Sequence, residues 1–210
     1  MVIVGAGGFA KELLEVVLQT NPTREIAFYD DVTAAGPKLV FDQFPILKTK
    51  HELLAYFAQH GNNFVLGLGG GQNRKKLFDK ISQWGGNLVS AIDTRATIGT
   101  FSHIGRGSTI LSQACISNSA QIGNAALIYY HSKITHDCVL GDFVEISPGA
   151  TLLGHVQIGE LSQVGANATV LSHIKIGCNC LIGAGAVVTK DIPDNSIVAG
   201  VPGKIIRYKS

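Results

Sequence analysis

Residues 121–146 read QIGNAALIYYHSKITHDCVLGDFVEI, with an aliphatic side chain at every sixth position: Ile122, Ile128, Ile134, Leu140 and Ile146. The rhythm runs on without a miss in both directions, down to Ile92 and up to Val188. An amphipathic helix repeats about every 3.6 residues and a half-buried strand every two, so neither explains a period of six. A parallel β-helix does, because its coil has three flat sides, each built from one six-residue repeat. The position two before each aliphatic is mostly small, as at Ala114, Ala120, Ala126, Ser132, Cys138 and Ala150, and both sets are expected to point inward. Glycine follows the aliphatic at Gly105, Gly123, Gly141, Gly159 and Gly177, each eighteen residues after the last. Three repeats therefore close one turn, and residues eighteen apart should stack about 4.8 Å from one another. Seventeen repeats make between five and six coils, enough for neighbours to bury a continuous core.

The full chain of 210 residues has room for one large domain or two small ones, and 46% hydrophobic with 15% charged residues describes a globular protein. A net charge of +2, spread along the chain, argues against a nucleic acid or an anionic membrane as partner. The four cysteines, Cys115, Cys138, Cys178 and Cys180, form no CxxC pair, and two of them fall at small inward sites of the repeat. There cysteine serves as a compact apolar filler, which fits a reduced cytoplasm. No apolar run reaches the length of a membrane span and the chain opens on a short strand, so a cytoplasmic location is expected.

Before the repeat, Met1–Val4 is an aliphatic run that meets Gly5-Ala6-Gly7-Gly8-Phe9-Ala10, followed by helical spacing at Leu13, Leu14, Val17 and Leu18. Strand, glycine turn and helix in that order let the backbone approach a phosphate, which the helix N-terminus attracts. Asn21-Pro22 breaks the helix. A second strand, Ile26–Tyr29, ends in Asp30-Asp31, where acids can accept hydrogen bonds from ribose hydroxyls or simply begin a solvated turn. Val32–Pro45 is expected to be a loop, His51–Ala58 a helix with Leu53, Leu54 and Phe57 inward, and Phe64–Leu68 a buried strand. Gly69-Gly70-Gly71 and a basic helix, Arg74–Trp84, follow. Residues 1–88 are thus expected to form a small Rossmann-like α/β domain that binds a nucleotide-sugar. Residues 89–210 are expected to form the β-helix, joined through Asn87–Thr94 and capped by the tail after Val188.

Counting from the inward aliphatic, the third and fourth residues of each repeat fall at a corner, which sets His136 beside Asp137. A carboxylate next to an imidazole orients it and favours its protonated form, an arrangement suited to a general base as well as to an ordinary surface pair. Steps of eighteen from Asp137 reach His155 and His173, giving an Asp–His–His ladder along one edge. Groups in line do not converge on an ion, so a polar ladder is favoured and no metal is assigned. The γ-class carbonic anhydrases share this kind of coil and use two zinc ligands spaced like His131 and His136. The third candidate, His103, is out of the eighteen-residue register, which argues against zinc.

GAGGFAKE at 5–12, the Asp30-Asp31 strand end, GGQNRKK at 70–76, His136-Asp137 and the tail VAGVPGKIIR at 198–207 together resemble one family. This is the bacterial sugar acyltransferases of the sialic acid O-acetyltransferase type, whose close relatives N-acetylate UDP-4-amino-sugars in bacillosamine synthesis. The resemblance spans nearly the whole chain and implies a left-handed β-helix, a homotrimer and acetyl-CoA as acyl donor in a groove between neighbouring coils. It further implies that His136 takes the proton of the acceptor amine or hydroxyl and that Asp137 raises its basicity. Gly154, Ala166 and Ala184 match positions lining the coenzyme, and Glu145 a position near the acetyl group. Gly7, Gly8, Phe9, Asp30, Asp31 and Gly69 match positions around a nucleotide-sugar. Glu145 stands where relatives often carry histidine, and Tyr129 where they often carry asparagine. The expected activity is N-acetylation of a nucleotide-linked amino-sugar, with O-acetylation of a sialic acid or polysaccharide sugar as the nearest alternative. A non-catalytic nucleotide-sugar-binding trimer is the alternative of a different class.

Overall fold

The computed structural model describes residues 1–20, 25–32 and 36–209. It divides into two compact units, Met1–Gly69 with Asn73–Ala91 and Gly70–Gln72 with Ile92–Ser210.

In chain order the first part of the molecule holds β1 (Val2–Val4), α1 (Gly8–Thr20), β2 (Ala27–Tyr29), β3 (Leu39–Val40), β4 (Phe44–Leu47), α2 (Lys50–His60), β5 (Asn63–Leu66), α3 (Gly71–Gln83) and β6 (Asn87–Leu88). The strands form one sheet in the order β3-β4-β2-β1-β5-β6. Its pairs are parallel except β3 with β4. With β2 on one side of β1 and β5 on the other, the winding reverses at β1, and a crevice opens at the carboxyl ends of these strands.

Several local expectations change. Val32–Pro45 is not all loop, since β3 and β4 form a hairpin whose turn places Phe41 (φ 51°) and Asp42 (φ 53°) in the left-handed region. Such a turn usually announces itself with Asn and Gly, and this one carries neither. Leu53 and Phe57 are buried, but Leu54 is 38% exposed, because it lies about 80° around α2 from the face those two share. Helix α2 starts at Lys50, one residue early, where Thr49 and Glu52 close a capping box. Helix α3 starts at Gly71, ahead of Arg74, β5 stops at Leu66, and Asn87–Leu88 is a strand paired with β5 where a joining segment was expected. The breaker Asn21-Pro22 lies outside the described residues.

From β7 (Ala91–Ile92) to β23 (Val187–Val188), seventeen two-residue strands follow one another among the described residues. As far as β20, each is bonded to the strand three further on, so Ile110 meets Ile128, Ile116 meets Ile134 and Ile122 meets Leu140, eighteen residues apart. Three sheets result, one for each side of the coil. The six-residue aliphatics and the small residues two before them fill one continuous core, joined by the larger Val144 and Val156 at small-residue positions. The first coil is the exception: Ile98 is 40% exposed, since an end coil has a stacked neighbour on one side only. At the far end Ile192 bridges to Ile176, while β24 (Ser196–Ala199) extends one sheet and β25 (Lys204–Tyr208) folds back on it, so the tail does cover the last coil. The glycine ladder keeps the coils in contact, for a Cβ at Gly105 or Gly123 would come within 2.4 or 2.5 Å of the next coil's backbone. All four cysteines are free thiols; burial raises the pKa of Cys138 and Cys180, as inert core fillers require. No helix among the described residues is long and apolar enough to cross a membrane.

Candidate active site

A cleft of about 410 Å³ opens at the carboxyl ends of β1, β2 and β5, lined by Gly5, Gly7, Gly8, Phe9, Asp30 and Asp31 among others. Gly5 sits at φ 104°, and a Cβ there would lie 2.9 Å from the Gly67 carbonyl oxygen, so only glycine lets the two strand ends pass. Helix α1 begins in this cleft at Gly8 and turns its positive end toward it. Of the residues matched to a nucleotide-sugar, Gly69 alone is not on the lining, which takes in its neighbour Leu68.

The two acids differ. The Asp30 carboxylate accepts the Val32 N–H at 3.1 Å. The Asp31 carboxylate accepts the Tyr29 hydroxyl at 2.9 Å and the Lys80 ammonium. Lys80 lies 5.1 Å from the centre of the Trp84 ring, which meets Tyr29 edge-on. Partial burial works to raise the pKa of Asp31, but the hydrogen bonds from Lys80 and Tyr29 outweigh it and hold the carboxyl below its ordinary range. Burial, reinforced by Asp31, pushes the Tyr29 phenol up.

Arg74 was expected on a basic helix; it is fully buried there and donates from Nη1 to the carbonyls of Leu66 and Leu68, both at 3.0 Å. Helical spacing alone does not separate an inward Arg74 from its outward neighbours Lys75 and Lys76. Arg74→Met should cost about 1–3 kcal/mol by leaving buried acceptors without this donor, read as a lower denaturant midpoint at unchanged slope. An unchanged midpoint would mean that the strand end does not depend on Arg74.

On the coil, β14 (Lys133–Ile134) runs into a corner formed by His136 and Asp137, the latter left-handed at φ 59°. The His136 Nδ1 lies 2.8 Å from the Asp137 carboxylate, so the pair read from the repeat register is made. His155 follows on the next coil with Nε2 at 3.8 Å from the same carboxylate, and its ring stacks on His173 at 4.7 Å and 11°. The ladder exists, but His136 also leans into it, its ring edge-on to His155 at 5.3 Å. His136, Asp137 and His155 thereby converge, which the repeat register did not indicate; His131 and His103 are not in this cluster.

Gly154 lies directly over His136: a Cβ there would come 2.5 Å from Cε1 and 2.7 Å from Nε2 of the ring. Ala166 and Ala184 stack eighteen residues apart at a different corner, separated from the His136 corner by one side of the coil. Glu145 is 5% exposed. Its carboxylate accepts the Gly70 N–H at 2.7 Å and the Gln163 side-chain amide at 3.0 Å. Tyr129 lies against Tyr130, ring centres 6.5 Å apart.

The PglD N-terminal domain model matches residues 1–81, and the model of bacterial transferase hexapeptide (six repeats) matches residues 155–190. A structure of a mutant perosamine N-acetyltransferase from Caulobacter crescentus, in complex with CoA and GDP-perosamine, is 30% identical with a TM-score of 0.89, over 97% of this chain and 95% of that one. The acetyltransferase domain of PglB from Neisseria gonorrhoeae, in complex with acetyl coenzyme A, is 30% identical with a TM-score of 0.88, over 98% of both chains. WeeI from Acinetobacter baumannii is 28% identical with a TM-score of 0.90, again over 98% of both. Among curated proteins no sequence matches the chain. With an α/β domain of the PglD type in front of a left-handed parallel β-helix, the chain belongs to the hexapeptide-repeat sugar acetyltransferases.

Proposed function

We propose that the protein transfers the acetyl group of acetyl-CoA to the amine of a nucleotide-linked amino-sugar, with His136 as general base. The observation that carries this reading is the His136–Asp137 pair at 2.8 Å on an exposed corner of the coil. If Nδ1–H donates to Asp137, the lone pair of Nε2 is left to accept a proton. The amine attacks the thioester carbonyl, a C–N bond forms, and its proton passes to His136 Nε2. The resulting oxyanion, which a backbone N–H can stabilise, collapses and expels the coenzyme as its thiolate; that thiolate then takes up a proton. Asp137 balances the imidazolium formed on the way.

The acceptor is assigned to the cleft lined by Gly7, Gly8, Phe9, Asp30 and Asp31, with Gly69 at its edge. The α1 N-terminus suits a diphosphate and Asp30 suits a hydroxyl or base N–H. The similar Caulobacter crescentus protein was crystallised with GDP-perosamine, which supports a nucleotide-sugar as the acceptor. Asp30→Ala should weaken nucleotide-sugar binding about tenfold or more and leave acetyl-CoA binding nearly unchanged, as titration calorimetry on each ligand would show. An equal loss for both ligands would contradict a division of labour between cleft and coil.

For the coenzyme we assign Gly154, Ala166 and Ala184. These lie along two edges of the β-helix, across a side of up to about 20 Å for six extended residues. A single coenzyme touching both corners is most simply served by two chains side by side, in keeping with a homotrimer. Glu145, buried and engaged by Gly70 and Gln163, is better suited to holding the chain locally than to meeting the acetyl group. Sedimentation at micromolar concentration should show a trimer, and only monomer would contradict the shared coenzyme groove. We place the reaction in the cytoplasm, which the free thiols support.

A further inference from the structure

We infer that His136, Asp137 and His155 form a binding site for a divalent transition-metal cation, zinc being the best fit. One donor atom from each of the three side chains lies within 4.8 Å of the others. The separations along the cluster are 2.8 Å from His136 Nδ1 to Asp137 and 3.8 Å from Asp137 to His155 Nε2. Tetrahedral zinc with bonds of about 2.0–2.1 Å sets its ligand atoms about 3.3 Å apart, so the two separations from Asp137 each need about half an ångström and the one between the imidazoles closes by up to about 1.5 Å. Two imidazoles and one carboxylate are a donor set for zinc and its neighbours, while magnesium and calcium take oxygen alone.

The site is held ready by its surroundings. His155 cannot turn freely, because its ring is stacked on His173 at 4.7 Å on one side and meets the His136 ring edge-on at 5.3 Å on the other. Asp137 is fixed in the left-handed corner conformation at φ 59°. The side chains are about half exposed, 53% for His136, 44% for Asp137 and 49% for His155, so an ion reaches them and water completes its shell.

Occupation has a consequence that rests on the general-base reading above. A metal on Nδ1 of His136 takes the place of the proton shared with Asp137 and leaves the neutral ring protonated on Nε2. That nitrogen then has no lone pair for the acceptor's proton. Zinc at this corner is therefore an inhibitor, not a cofactor.

The test uses the untagged full chain freed of metal by chelation, titrated calorimetrically with zinc chloride in a non-coordinating buffer. Expected are one zinc per chain, affinity at least tenfold weaker in His155→Ala, and affinity unchanged in His131→Ala, whose side chain is outside the cluster. Absence of stoichiometric binding, or equal affinity in His155→Ala, overturns the site. In the acetyl-transfer assay, zinc at saturating concentration should abolish turnover and a chelator should restore it. Zinc bound with the expected His155 dependence but without inhibition would uphold the site and overturn His136 as the base instead.

Discussion

Replacing His136 with alanine is expected to lower turnover about 10²- to 10⁴-fold while changing acetyl-CoA affinity little, since a positioned general base contributes on that scale to the step itself. The loss should fall on kcat. Asp137→Asn should cost less, because the imidazole stays and loses only the carboxylate 2.8 Å from its Nδ1. Steady-state kinetics with both variants decide the matter. A His136→Ala protein with near-normal turnover on its acceptor would move the base elsewhere on the coil.

The second large effect is expected from a methyl group. Gly154→Ala would place a Cβ 2.5 Å from the His136 Cε1, about an ångström inside ordinary contact, and the exposed ring would swing away. A displacement of that size in a reacting group costs about 10²-fold in rate, whereas folding should hardly suffer because the ring gives way toward solvent. Two readouts separate this, in turn, from misfolding and from simple obstruction of the coenzyme. The melting temperature should stay near that of the wild type, and the substitution should add little to the loss already present in His136→Ala. A Gly154→Ala variant with full turnover, or one equally damaging in both backgrounds, would remove Gly154 from the positioning of His136.

The coil was legible because its signal is redundant. Seventeen aliphatics on one period, small residues on the same period and glycines on three times that period all state one geometry, and the strand register from Ile110 to Val188 follows it. The same register put His136, Asp137, His155 and His173 on one edge. It did not show that His136 turns toward His155, because periodicity fixes where a Cα sits and leaves side-chain torsions free. Nor did it show why residue 154 is glycine, since that reason is the ring lying beneath it.

The α/β unit was less legible where its signals were local. The hairpin turn at Phe41-Asp42 lacks the usual Asn and Gly, and the inward Arg74 is indistinguishable by charge from its exposed neighbours. The cleft itself followed from Gly5-Ala6-Gly7-Gly8 after a strand and Asp30-Asp31 after the next, two features that parallel topology brings to one end of the sheet. That Asp31 is bound by Tyr29 and Lys80 required the position of Lys80 on α3, distant in sequence.

The most direct measurement is mass spectrometry of the products after the protein is incubated with acetyl-CoA and a panel of UDP-, GDP- and CMP-linked amino-sugars, with released CoA thiol followed alongside. One sugar should emerge one acetyl group heavier on its amine, with an equal amount of thiol released, and neither product should form with His136→Ala. Acetyl on a hydroxyl, or tight binding of both ligands without transfer in the wild type, would contradict amine acetylation at the His136 corner.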